Sequence, residues 1–150
     1  MSNEFIIDDG MIMEYVGPGG DVIIPQGVTN IFFEVFYASA IITSVIIPGS
    51  VSDITSSVFE KSGKLKVVKL CEGVSSISFG AFNECKSLEE IYLPKSLKLI
   101  EINAFANCPS LKNIYYNGSK EDWDLIVKKD TWNKNTSNYN LIFNSNVNYW

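Results

Sequence analysis

Three cysteines, Cys71, Cys85 and Cys108, supply the thiols of this chain, and Cys85 and Cys108 stand 23 residues apart. Two thiolates at matching positions of neighbouring units would suit a redox pair or a soft-metal site. Such a site needs further ligands, yet there is no histidine, and no CxxC pair occurs. Cys85 and Cys108 therefore read as reduced, buried thiols. Cys71 reads as more exposed, with Lys69 as its one neighbour able to lower its pKa. The carboxylate pairs Asp8-Asp9, Glu89-Glu90 and Glu121-Asp122 would suit calcium or acid–base work, but none has EF-hand spacing. Gly17 to Gly20 is followed by no Gly-Lys-Ser/Thr and is interrupted by Pro18, so it is no phosphate loop. No catalytic residue, metal or cofactor is expected.

Histidine's absence also removes Ser-His-Asp and Cys-His catalysis and an imidazole base near neutral pH. All 12 basic residues are lysines, so the chain lacks arginine's bidentate fork for phosphate, carboxylate and guanine. With a formal net charge of −5, nucleic-acid binding is not expected. A length of 150 residues with 46% hydrophobic and 19% charged residues fits one folded domain. The opening MSNEFIIDDG has no basic stretch followed by an apolar one. As written the protein is expected in the cytoplasm, and at the surface or secreted where a leader has been removed.

What must position these groups is a repeat. Pro25, Pro48 and Pro94 follow the apolar triplets VII, VII and IYL, and Cys71 follows VKL at the missing position of a 23-residue period. Two apolar columns precede the proline: Val22, Val45, Val68, Ile91 and Ile114, then Ile24, Ile47, Leu70, Leu93 and Tyr116. After it come Val28, Val51, Val74 and Leu97, then Ile31, Ile54, Ile77 and Ile100, then Val35, Val58, Ala81 and Ala104. Phe36, Phe59, Phe82 and Phe105 form the next column, and Ile42, Leu65, Leu88 and Leu111 the last. A unit of this size cannot enclose a core alone, so each must bury its columns against the next in a solenoid. The apolar run from Ile31 to Pro48 is one such unit: it contains Glu34, is rich in β-branched residues and is shorter than a membrane-spanning helix. No membrane insertion is expected.

The third and fourth units, LKVVKLCEGVSSISFGAFNECKSL and LEEIYLPKSLKLIEINAFANCPSL, resemble the BspA-type leucine-rich repeat, whose pattern runs LxxIxLPxSLxxIGxxAFxxCxxL. The resemblance covers Val22 to about Trp123. The first two units depart from it, with Val35-Phe36 and Ser39, then Val58-Phe59 and Ser62, in place of Ala-Phe and Cys. Serine keeps a small side chain able to bond a loop backbone group. The resemblance implies a mainly β repeat solenoid with parallel strands, a reduced cysteine column, and a role like the adhesion and host or matrix contacts of surface-exposed bacterial and protist relatives.

A stack needs capped ends. FIIDDGMIMEYVGPGG reads as a β-hairpin around Asp9-Gly10, giving an N-terminal cap over 1–21, with repeats over 22–116 and a C-terminal cap over 117–150, all in one domain. SKEDWDLIVKKD has a capping-box start at Ser119 and Asp122, lysines at its end, and an apolar face of Trp123, Ile126 and Val127, which predicts a helix across the last repeat. The asparagine-rich tail, with Tyr139, Ile142, Phe143, Tyr149 and Trp150, is read either as a strand hairpin completing the cap or as a partly ordered segment for a partner. A homodimer through this end competes with the cap.

Side chains between the buried columns must point outward, because strand residues alternate. They form one column of Asp21, Ser44, Val67, Glu90 and Asn113 and another of Ile23, Ile46, Lys69, Tyr92 and Tyr115. Isoleucines and tyrosines on an exposed sheet have the composition of a protein-binding patch, although any sheet favours such columns. The expected function is a non-enzymatic protein-binding module acting through Ile23, Ile46, Lys69, Tyr92, Tyr115, Glu90 and Asn113. The alternative is a small intracellular inhibitor, of mobile-element or phage type, that blocks a host enzyme by stoichiometric binding.

Overall fold

The computed structural model describes residues 3–145. Strands β1 (Phe5–Asp8) and β2 (Met11–Tyr15) form an antiparallel hairpin with Phe5 opposite Tyr15 and Asp8 opposite Met11. Its turn takes Asp9 and Gly10 to φ values of 45° and 77°, the left-handed pair a two-residue hairpin requires. The chain then winds through β3 (Gly20–Ile23), β4 (Asn30–Ile31), β5 (Ile42–Ile47), β6 (Asp53–Ile54) and β7 (Val67–Leu70). It continues through β8 (Ser76–Ile77), β9 (Glu90–Leu93), β10 (Leu99–Ile100), β11 (Asn113–Tyr116), helix α1 (Lys120–Leu125), β12 (Val127–Lys128) and β13 (Asn140–Ile142).

The result is a parallel-strand β-solenoid of about six turns. Each turn gives one longer strand to a six-stranded sheet ordered β13-β11-β9-β7-β5-β3 and a two-residue strand to a second ladder, β12-β10-β8-β6, while β4 pairs with β2 of the hairpin. The 23-residue period is the strand register itself: Val22 lies beside Val45, Val45 beside Val68, Val68 beside Ile91, and Ile91 beside Ile114. These five side chains are at most 1% exposed. Among the described residues no helix is long and apolar enough to cross a membrane, and the Ile31–Pro48 run is a turn of the stack.

Phe36, Phe59, Phe82 and Phe105 stack face to face with centroids 5.1, 5.1 and 5.0 Å apart and interplanar angles of 12°, 1° and 2°. Each such pair contributes about 0.5–1.5 kcal/mol beyond its buried area. Aromatic rings from outside the register close the column, Tyr15 at 5.4 Å from Phe36 and Trp132 edge-on at 6.5 Å from Phe105. Beside it runs a polar column. The Ser62 hydroxyl donates to the Phe36 carbonyl at 2.7 Å, and the Cys85 and Cys108 thiols donate to the Phe59 and Phe82 carbonyls at 3.1 and 3.3 Å. Serine and cysteine interchange there because both place a small donor under the preceding turn's backbone.

The C-terminal end corrects the expected extent of the helix. Ser119 and Asp122 do form a capping box, but α1 stops at Leu125: Ile126 is extended and its N–H bonds the Trp123 carbonyl. Val127 is therefore 51% exposed, in a strand beside Leu99, and Lys128 caps the helix end by donating to the Trp123 and Ile126 carbonyls at 2.8 and 3.0 Å. Trp123 and Ile126 alone of the expected face are buried. The second strand of the expected tail hairpin lies outside the described residues, while the described part of the tail adds a strand to the stack. Asn140 and Leu141 pair in parallel with Asn113 and Ile114, making β13 a sixth rung. This turn is longer, with Leu99 beside Val127 and Asn113 beside Asn140, since α1 occupies the place of a short proline turn. An amide ladder keeps the rungs aligned: Asn83 donates to Glu60, Asn107 to Asn83 and Asn135 to Asn107 at 3.0, 2.9 and 2.9 Å. Tyr139, Leu141 and Phe143 pack on the core; Tyr149 and Trp150 lie outside the described residues.

Candidate functional site

Strand alternation places both sequence-expected columns on the outward face of the six-stranded sheet. In one, Asp21, Ser44, Val67, Glu90 and Asn113 are successive neighbours; in the other, Ile23, Ile46, Lys69, Tyr92 and Tyr115. Ile23 on the outermost rung is 54% exposed. Ile46, Lys69, Tyr92, Tyr115, Glu90 and Asn113 are half-buried, because each is flanked by the rungs on either side. The sixth rung extends both columns with two residues that sequence reasoning missed, Asn140 beside Asn113 and Ile142 beside Tyr115. Their signal was the match of NLIF to NIYY, hidden because the spacing departs from 23 residues.

Tyr92 and Tyr115 stack at 4.5 Å with an 11° interplanar angle, and the Lys69 ammonium lies 5.4 Å from the Tyr92 centroid on the preceding rung. Both faces of Tyr92 are thus occupied within the ladder. Tyr92 donates its hydroxyl to the Glu90 carboxylate at 2.9 Å. Burial, then the Glu90 carboxylate, push the Tyr92 pKa above the usual tyrosine range, so it remains a protonated donor throughout the neutral range. At the rims, Ser44 donates to Asp21 at 2.7 Å, Asn140 donates to Asn113 at 3.0 Å, and Lys112 pairs with Glu89 at 2.9 Å. The hydrogen bond and charge of Lys112 hold the Glu89 carboxyl below its ordinary range. The surface offers aliphatic methyls, aromatic edges and a few fixed polar groups on a rigid frame.

The thiols have other surroundings. Cys71 is buried, 8% exposed, which corrects its expected exposure: it sits in the column of Pro48 and Pro94, which are buried too. Cys85 and Cys108 are fully buried. Burial, then the neighbouring Cys108, raise the Cys85 thiol well above its usual pKa, and burial pushes Cys108 up to about 12, so neither is a ready thiolate. Among the described residues no group of three or more Cys, Asp or Glu side chains is placed to hold a metal ion. A polar cleft of about 770 Å³ lies where the third to fifth turns meet α1. Its Glu72 carboxylate accepts from the backbone N–H groups of Lys95 and Ser96 at 2.7 and 3.1 Å and from the Asn117 amide at 3.1 Å. The cleft is a joint between turns.

The family model described as the BspA type leucine rich repeat region matches residues 19–127 in six copies. A leucine rich cell surface protein from Faecalibacterium prausnitzii superimposes with a TM-score of 0.62 and 30% identity, over 78% of this chain and 38% of its own. The T. pallidum leucine rich repeat protein gives 0.69 and 28%, over 83% and 59%. The pneumococcal vaccine antigen PcpA gives 0.60 at 17% identity, over 95% and 49%, a likeness of fold alone. The chain spans between 38% and 59% of the length of these three. No curated protein matches it.

Proposed function

The chain belongs to the BspA-type leucine-rich repeat family, and from that premise we propose that it binds a protein partner through the outward face of its six-stranded sheet. The observation that carries this reading is the Tyr92–Tyr115 stack, set between Lys69 and Ile142 on consecutive rungs of one rigid ladder. Aromatic groups already ordered before contact lose little conformational freedom on binding, which is why such residues dominate protein interfaces. A sugar ring would need an open aromatic face to stack on, whereas the Tyr92 faces are occupied by Tyr115 and Lys69. Ring edges, hydroxyls and the flanking isoleucines suit the mixed apolar and polar surface of a protein. The consequence favoured for binding is adhesion, in line with the description of the F. prausnitzii neighbour as a cell surface protein.

The test compares wild type with Tyr92→Ala/Tyr115→Ala as bait in native lysate and on intact cells, with folding checked by circular dichroism. Loss of the specific partner from the variant supports the reading, and hydroxyl-radical footprinting of the recovered complex should protect Tyr92 and Tyr115. Equal capture by both proteins, with no protection of the two tyrosines, overturns it.

A further inference from the structure

In a solenoid, position along the chain is position along the stack, so charge in the sequence becomes charge along an axis. Residues 1–60 carry eight carboxylates and no lysine, whereas residues 61–150 carry nine carboxylates and all 12 lysines, giving formal charges of −8 and +3. Six strands at about 4.8 Å spacing make the stack roughly 24 Å tall, about three Debye lengths at physiological ionic strength. A molecule approaching the N-terminal end meets the six carboxylates of the hairpin and first turn, residues 1–41, which hold no lysine; the first lysine of the chain, Lys61, lies against Tyr37 at the far side of that turn. The three ion pairs among the described residues, Lys95–Asp122, Lys112–Glu89 and Lys120–Asp124, all lie beyond that segment.

Apolar exposure is sorted in the same direction. Of the 13 large hydrophobic side chains exposed among the described residues, eight belong to the hairpin and first turn, through Ile41. Ile6 and Ile7 are 50% and 44% exposed and lie at a bulge on the outer strand of the hairpin, while Met13, Val16, Phe33 and Ile41 are 42%, 54%, 42% and 51% exposed. Ile6 sits directly across from Glu14. Edge strands are ordinarily guarded by lysine or proline, and β1 has neither.

We propose that the hairpin and first turn form a second docking surface, separate from the strand face, whose occupant is a lysine- or arginine-rich protein segment carrying aliphatic side chains. Charge complementarity selects this occupant. A second copy meeting end to end would set one −8 segment against another. Among the chain's own lysines, Lys95, Lys112 and Lys120 are held in ion pairs and Lys128 is held by the α1 carbonyls. An anionic membrane surface would be repelled by the same carboxylates.

The test uses fluorescent twelve-residue peptides, one alternating lysine with leucine and one alternating lysine with serine. The first should bind at least about tenfold more tightly, with an affinity that falls as salt rises. Replacing Glu4→Gln, Asp8→Asn, Glu14→Gln and Glu34→Gln should weaken binding by at least about tenfold, whereas Glu84→Gln, Glu101→Gln, Glu121→Gln and Asp130→Asn should change it less than about twofold. Ile6→Ser/Ile7→Ser should also weaken it, and Tyr92→Ala/Tyr115→Ala should leave it intact, which separates this surface from the strand face. Thermal unfolding of each variant confirms its fold. Equal losses from the two charge-neutralised variants would mean a diffuse charge effect and overturn the proposal. So would self-association in sedimentation that the first set of substitutions abolishes.

Discussion

Two sides of the same strands obey different rules. Along the inner side the column through Val22, Val45, Val68, Ile91 and Ile114 changes only between valine and isoleucine, and every member is buried. One residue away, the outward column runs Asp21, Ser44, Val67, Glu90 and Asn113, with hardly a chemical property in common. Stacking accounts for the contrast: an inward side chain must match the rungs above and below in volume, because interiors are close-packed. An outward side chain needs only to tolerate its neighbours, so it can be set by what it touches outside the molecule. Substitutions on the two sides should accordingly separate, with inner ones costing stability and outer ones costing binding.

The largest effect is expected at the centre of the aromatic column. Phe82 is stacked on both faces and completely buried, so Phe82→Ala should cost about 3–5 kcal/mol, a large share of a typical domain's stability. Urea unfolding would show this as a lower midpoint. A loss near 1 kcal/mol would mean that neighbouring turns collapse into the space and that inner positions are less constrained than their uniformity implies.

Next comes the polar column beside it. Cys85→Ala should cost about 1–2 kcal/mol through lost volume and the lost hydrogen bond to Phe59, and Cys85→Ser should cost less, because Ser62 already makes the equivalent bond to Phe36. Equal costs would assign the column to volume alone.

The inner columns were legible in the sequence because the 23-residue period is the strand register. The sixth rung was not. α1 lengthens its turn, so Asn140 and Ile142 fall out of the alignment that gathers the other five rungs. The second ladder escaped as well, since a two-residue strand leaves no alternation to detect and shows only as the Ile31, Ile54, Ile77 and Ile100 column. Burial of Cys71 could have been inferred had the proline column been treated as inward-facing. On the outward face, alternation gave the membership of both columns, but not the stacking of Tyr92 on Tyr115 or the bond to Glu90, which depend on rotamers.

A smaller effect is expected where the period breaks. Ser119→Ala removes the helix cap and should cost about 1 kcal/mol. The Asp122 carboxyl is held below the ordinary aspartate range, first by the Ser119 N–H, then by its hydroxyl, with Lys95 contributing. A depressed folded pKa means that its contribution is complete above the unfolded value of about 4 and fades as pH falls through the folded one. Acid titration followed by hydrogen exchange should therefore loosen α1, and Ser119→Ala should shift that loosening to higher pH.

The smallest stability effect is expected from Tyr92→Phe, which keeps the stack and removes only the half-buried hydroxyl donated to Glu90, at a cost of about 0.5 kcal/mol, the low end for a hydrogen bond that water can replace. Here the sign with pH is opposite. Burial, then Glu90, raise the folded pKa of Tyr92, so its contribution is complete below the unfolded value of about 10 and is lost as pH rises beyond it. Tyr92→Phe should reduce the alkaline decline in stability and remove one late-ionising group from the ultraviolet titration. If Tyr92→Phe binds the partner as well as wild type does while Tyr92→Ala/Tyr115→Ala does not, the outward face recognises the stacked rings. A loss with Tyr92→Phe alone would transfer that role to the hydroxyl and to the carboxylate that fixes it.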